Sequence, residues 1–237
     1  MSKRVDPQKY YKKRNVVKEY DAKRFGSKGG GLVNKKELQN TMDSLRLSKK
    51  SKILDAGAGT GRVTRILKDK GFDVYCLDTS DEMIKKLKKI INPKKVKKGS
   101  VFKIPFKKES FNAVVSLRVL HHFNLEDSKK LVKEYLRVTK KKGFIVFNTF
   151  NALSLEAVIP QSRKKLNYHL DINEFKEFLE KLGVKYSLKY DFLFPFGIYM
   201  HSPRFLLKVI DNLNKGLAKG ALKKFGSVVY WKIQKIH

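Results

Sequence analysis

Residues 51–64 read SKILDAGAGTGRVT, with an acid, Asp55, closing a short apolar run and Gly57, Gly59 and Gly61 following at every second position. Such a stretch is the end of a buried strand turning into a helix. Small residues there let the backbone approach a ligand, and the helix that follows offers a positive N-terminus. A phosphate-cradling loop would need a Lys-Ser/Thr pair after its last glycine, whereas Gly61 precedes Arg62 and Val63. A dinucleotide fingerprint spaces its glycines two and then three apart, and Asp55 would repel a pyrophosphate. The loop therefore favours a ligand with a positive group and no phosphates.

Working outward, strands and helices alternate. KILD reads as a strand, RVTRILKDKG as a helix closed by Gly71, and DVYCLD as a strand. SDEMIKKLKKII reads as a helix with Ser80 as its N-cap, followed by a short strand within VKKGSVFKIPF. FNAVVSL is a strand, NLEDSKKLVKEYLRVT a helix and KGFIVFNTF a strand. This order predicts an α/β fold: a Rossmann-like, doubly wound, seven-stranded sheet, mainly parallel with an antiparallel last strand, binding ligands at its strands' carboxyl ends. The tail supplies the helix DINEFKEFLEKLG, the strand VKYSLKYDFLF and the last strand GSVVYWKIQKI. A helical insertion is expected at about 195–224, where RFLLKVIDNL is amphipathic. It either caps the sheet, roofs an apolar substrate or lies on a lipid surface. Residues 1–33 are basic and tyrosine-dotted, read as a helical lid ending in a flexible SKGGG turn. The main domain then runs over 34–237, with Asn34 as the N-cap of its first helix.

Charge and composition narrow the classes. The chain of 237 residues carries a net charge of +32, from 44 lysines and 10 arginines against 22 acids. A field that positive attracts nucleic acid or an anionic membrane surface. Arginine, suited to bidentate phosphate contacts, is however scarce. Eleven lysines and no acid lie between Met83 and Lys108, yet Met83, Ile84, Leu87, Ile90 and Ile91 share one helical face, which leaves the lysines on a solvated one. The lone Cys76 rules out an internal disulfide and fits a reducing, cytoplasmic location. No apolar run approaches the length of a membrane span, and no metal-ligand spacing occurs.

The second strand ends in Asp78, 23 residues after Asp55, where an acid in such a fold accepts both hydroxyls of a ribose. A cationic centre near Asp55 and a ribose diol at Asp78 describe S-adenosylmethionine.

Together, ILDAGAGTGR, VYCLDTS, GSVFKIPFKKESFNAVVSLRVLHHF and YLRVTKKKGFIVF resemble the class I S-adenosylmethionine-dependent methyltransferases, most of all the branch of quinone and other small-molecule methyltransferases. The resemblance implies that Asp55, Gly57, Gly59 and Gly61 line the methionine end and that Asp78, with Thr79 beside it, takes the ribose. It also implies that the backbone of Ser100 and Val101 meets the adenine and that of Leu117 the methyl-bearing end. Two departures stand out: Ser100 replaces a common aspartate, and Phe111-Asn112 replaces a common Phe-Asp pair, read as a surface-loop effect.

His121 and His122 follow the fourth strand beside the expected methyl group and are the candidate general bases, against a reading as local packing. Arg118 reads as a surface salt bridge or an anion holder. Tyr10, Tyr11 and Tyr20 read as a half-buried helix face or as a closure over the site. The sequence after strand four is not of the NPPY type, and Cys76 lies in strand two, so adenine-N6 and cytosine-C5 methylation are excluded. Three activities stay open: methyl transfer to a small, apolar metabolite, transfer to RNA recruited by charge, and cofactor binding without catalysis.

Overall fold

The computed structural model describes residues 10, 14–158, 167–217 and 220–237. Its elements in chain order are α1 (Arg14–Phe25), α2 (Lys28–Ser44), β1 (Lys52–Ala56), α3 (Arg62–Asp69), β2 (Asp73–Asp78), α4 (Asp81–Leu87), β3 (Val96–Lys98) and β4 (Phe111–Ser116). There follow α5 (Leu125–Val138), β5 (Thr139–Asn151), α6 (Leu155–Val158), β6 (His169–Leu170), α7 (Ile172–Lys181) and β7 (Lys185–Asp191). The cap then comprises α8 (Phe196–His201) and α9 (Arg204–Leu217), and β8 (Val228–Gln234) completes the sheet.

The sheet runs β3-β2-β1-β4-β5-β8-β7, with β8 antiparallel to both of its neighbours. The alternating doubly wound pattern is thus as the sequence indicates, with one addition: β6, two residues long, pairs in parallel with the end of β5. No periodicity can announce so short a strand.

The central strands are buried on both faces, as parallel strands covered by helices must be. Leu54, Val114, Phe147 and Trp231 face α5 and α7, while Ile53, Val115 and Val146 face the side of α3 and α4 with Leu67 and Leu87. Three buried polar bonds pin the strands: Ser116 Oγ donates to the Ala56 carbonyl at 2.9 Å, Tyr135 and Ser116 share a bond of 2.8 Å, and Trp231 Nε1 donates to Thr149 Oγ1 at 2.9 Å. Asn112 is not on a surface loop. It sits in β4, where its Oδ1 accepts from the Lys52 amide at 2.9 Å and registers the start of β1.

The N-terminal region departs from its sequence reading. SKGGG is not a turn: Ser27 is the N-cap of α2, its Oγ accepting from the Gly30 amide at 3.0 Å, and the glycines are the first turn of the helix. The helix therefore begins well before Asn34, and the boundary drawn at residue 33 falls inside it. The glycines serve close packing. A Cβ on Gly29 would sit 1.7 Å from the Tyr199 carbonyl oxygen, so α2 crosses α8 at backbone contact.

Beneath this crossing a small core of Val33, Phe150, Phe192, Tyr199, Ile210 and Tyr230 is tied together by buried Asp191. Its carboxylate accepts from Asn40 and Asn214, each at 2.8 Å, and lies 3.1 Å from Lys36 Nζ. A charged group held below the surface needs partners of this kind, and Asp191 has them on both carboxylate oxygens.

Candidate active site

At the carboxyl ends of β1, β2 and β4 lies an open-mouthed cavity, the place where sheets of this kind bind ligands. The loop after β1 forms its floor. Gly57, Gly59 and Gly61 all take positive φ, at 76°, 54° and 82°. A Cβ on Gly57 would stand 2.5 Å from Val119 Cγ2, so this turn requires glycine. A Cβ on Gly59 would meet nothing within 4 Å, so that part of the loop is open to the cavity. Gly61 lies outside the lining and is the N-cap of α3, pressed on Ile90 and Leu87.

Asp55 and Asp78 both line the cavity. Asp55 is buried and accepts from Thr64 Oγ1 at 2.7 Å. Burial lifts its carboxyl to about 7, and the neighbouring Asp78 adds repulsion. Asp78 spans two loops, accepting from the Gly59 amide at 2.8 Å and the Ser80 amide at 2.9 Å. Burial raises its pKa too, opposed by those same amides. Two carboxyl groups held at elevated pKa on one cavity wall make a site that favours a cationic ligand.

Thr79, Ser100, Val101 and Leu117 line the same cavity. The Ser100 hydroxyl also accepts from the Phe102 amide at 3.2 Å. The two histidines part company. His122 lines the cavity, whereas His121 is buried behind it, its ring stacked on Phe150 at 4.5 Å between centroids. Burial pulls the His121 pKa well down, so its ring is neutral, and its Nδ1 has no hydrogen-bond partner among the described residues.

The roof comes from the N-terminal helices. Tyr20 of α1 lines the cavity; Tyr10 does not, and Tyr11 lies outside the described residues. Thr60 Oγ1 donates to Asp21 at 2.8 Å, Lys86 Nζ donates to the Val17 carbonyl at 2.8 Å, and the Arg62 guanidinium lies 4.0 Å from the Phe25 ring centroid.

Sequence reasoning missed Glu37. This α2 carboxylate is fully buried and receives Arg118 Nε at 2.7 Å and Arg62 Nη2 at 3.3 Å, while Arg62 also reaches Asn34. Arg118 is therefore one arm of a buried ion triad and not a surface pair, and it takes positive φ to get there. No sequence signal marks it, because the side of α2 that the fold buries most deeply carries Val33, Asn40 and Thr41 beside Glu37, whereas Leu38 and Met42 are only half-buried. Arg118 also borders a second chamber, lined by Phe25, Phe150, Phe196 and Met200 between α1, β5 and α8.

Residues 54–147 match the family described as "Methyltransferase domain". Among curated proteins, malonyl-[acyl-carrier protein] O-methyltransferase of Hamiltonella defensa is 33% identical over 132 residues, covering 56% of this chain and 50% of that protein. A tRNA (carboxymethyluridine(34)-5-O)-methyltransferase of Arabidopsis thaliana is 31% identical over 105 residues, covering 43% and 24%. The chain thus spans half or less of the length of these two relatives. A crystal structure from Thermotoga maritima, described as a SAM-dependent methyltransferase and possible histamine N-methyltransferase, covers 93% of this chain and 97% of that one, at 19% identity and a TM-score of 0.65. That likeness carries the fold.

Proposed function

The chain carries a class I S-adenosylmethionine-dependent methyltransferase domain, and on that premise we propose that it transfers a methyl group from S-adenosylmethionine to a small, apolar metabolite. The observation that carries the cofactor half is the pairing of Asp55 and Asp78 on one cavity wall with the open glycine loop between them. Asp55 has Thr64 as its hydrogen-bonding side chain and a pKa of about 7, the state of a carboxylate short of a counter-charge. A cationic methionine end supplies that charge. Asp78 then holds the ribose, Thr79, Ser100 and Val101 flank the adenine side, and Leu117 stands toward the reacting end.

Bound there, S-adenosylmethionine supplies an electrophilic methyl group. The chain's own part is alignment and exclusion of water. Tyr20 and the α1 helix roof the cavity, and the Glu37 triad fixes the loops that carry Arg62 and Arg118. His122 is the group assigned to accept a proton from the acceptor, with His121 packed against it at 4.1 Å between ring centroids.

The acceptor half rests on the second chamber, where Phe25, Phe150, Phe196 and Met200 offer an apolar body a surface and Arg24, Arg118 and Glu156 add charged groups beside it. A second reading, an RNA acceptor with the lid and surface lysines as its track, is favoured by the net charge of +32. Labelled methyl transfer into a fractionated cell extract separates the two. Counts in the organic-soluble or small-molecule fraction support the first reading, and counts in RNA overturn it.

A further inference from the structure

Helix α9 has two apolar faces, and the fold uses one. Leu207, Ile210 and Asn214 turn inward and are buried, with Ile210 in the small core under the roof. At 3.6 residues per turn, Phe205, Val209, Leu213, Leu206 and Leu217 fall on a contiguous arc of about 120° that adjoins the buried face at Ile210. All five are exposed; Phe205, Val209 and Leu213 show 76%, 49% and 51% of their surface. None of the five lines the second chamber, so the arc is not part of that wall.

What borders the arc is basic. Arg204, Lys208 and Lys215 lie along the remaining side of the helix and are exposed, with Asp211 among them paired to Lys215 at 2.7 Å and to Lys36 at 2.8 Å. The turn at Ala221–Phe225, packed against α9, adds exposed Leu222 flanked by exposed Lys223 and Lys224. Single exposed leucines are ordinary, but a continuous apolar arc rimmed by cations marks a contact surface.

We propose that the outer face of α9 seats on an anionic phospholipid surface, with Phe205, Val209 and Leu213 entering the headgroup boundary and the surrounding lysines meeting lipid phosphates. An apolar arc with a cationic border is the composition of helices that lie in the membrane interface. Charge selects this occupant. A second copy of a chain carrying +32 would bring like charges together around the same patch. A nucleic acid would use the lysines and leave the apolar arc in water. Among the described residues no helix is long and apolar enough to cross a membrane, so the contact is peripheral. The inference stands apart from methyl transfer, since seating on lipid requires no cofactor.

The test is flotation of the full chain with vesicles of phosphatidylglycerol and phosphatidylcholine in equal parts, and with phosphatidylcholine alone. Two variants are compared: Phe205→Ser with Leu213→Ser, and Lys208→Gln with Lys223→Gln and Lys224→Gln. All five side chains are exposed, and unchanged melting temperatures and S-adenosylmethionine affinities establish that each variant is folded. The expected result is binding to the anionic vesicles alone, weakened tenfold or more by either variant. Three results overturn the proposal: no flotation, flotation untouched by the loss of Phe205 and Leu213, or a dimer seen by light scattering without lipid that the same pair abolishes.

Discussion

Around the loop from Gly57 to Gly61 the chain is held mostly by main-chain bonds, with Asp78 accepting from the Gly59 amide, whereas the roof above it is held by side chains. In the loop, the Gly57 and Ala58 amides donate to the Leu77 carbonyl at 2.8 and 3.0 Å, and the Gly61 amide to the Ala58 carbonyl at 3.0 Å. In the roof, Glu37 gathers Arg62 and Arg118, while Asp191 gathers Lys36, Asn40 and Asn214 across α2, β7 and α9. Main-chain bonds survive most substitutions that keep the backbone conformation. A buried charge network survives none that removes one member, because the partners stay behind desolvated. The cofactor side should therefore tolerate loss of a functional side chain with its fold intact, and the roof should not.

The sharpest way to break this contrast is Glu37→Ala. With Arg62 and Arg118 left uncompensated, denaturant unfolding should show a loss of about 3–5 kcal/mol. A loss no larger than that of a surface change would mean that water replaces the carboxylate and the roof is looser than its contacts. Gly29→Ala tests the same region through packing. A Cβ placed 1.7 Å from the Tyr199 carbonyl forces α2 and α8 apart, at a cost of about 1–3 kcal/mol in the same measurement.

On the cofactor side, Asp78→Ala should cost less stability than Glu37→Ala, since only backbone amides such as those of Gly59 and Ser80 lose an acceptor. It should also weaken S-adenosylmethionine binding at least tenfold, about 1.4 kcal/mol by calorimetry. Unchanged affinity would remove Asp78 from the site.

Asp55 gives a pH signature. Its folded-state pKa of about 7 lies above the 3.8 of an unburied aspartate. Between those values the folded, ligand-free chain binds more protons than the unfolded one, so this group's contribution to stability falls as pH rises through the window. Comparison with Asp55→Asn isolates the effect: the variant's melting temperature should decline less from about pH 4 to about pH 7. Cofactor binding should also release a proton there, which titrations in two buffers of different ionisation enthalpy would detect. Smallest of all, Phe205→Ser on the outer face of α9 should shift stability by less than about 0.5 kcal/mol; a larger loss would mean that this face is already covered within the chain.

The same contrast explains what the sequence disclosed. The strands from β1 to β5, and the gathering of Asp55, Gly57, Gly59 and Asp78 near one cavity, follow from apolar runs, turn residues and spacing along neighbouring segments, whereas Ser100 and Leu117 follow from the family resemblance alone. Local rules of that kind are written in adjacent residues. The roof is written in pairs such as Asn40 with Asp191, 151 residues apart, or Arg118 with Glu37, 81 apart, and no periodicity links them. SKGGG misled for a related reason: glycine signals a turn in a sequence, but here it answers a helix crossing that only the folded chain contains. His121 and His122 could not be told apart, because which ring faces the cavity depends on the short helical turn at Leu120–His122.

The α2 backbone is pressed onto Tyr199, and α1 joins α2 through Gly26 and Ser27 and packs its end on the first turn of α2, where a Cβ on Gly30 would stand 2.5 Å from the Arg24 carbonyl oxygen. The bonds from Val17 and Asp21 and the stacking of Phe25 under Arg62 latch α1 to the body of the domain. Among its described residues α1 fully buries Val17 alone, so moving it outward would uncover little of the core. How long a ligand stays in the cavity is then a property of that latch, so changes at Asp21 or Lys86 should alter residence time more than they alter the contacts a bound ligand makes.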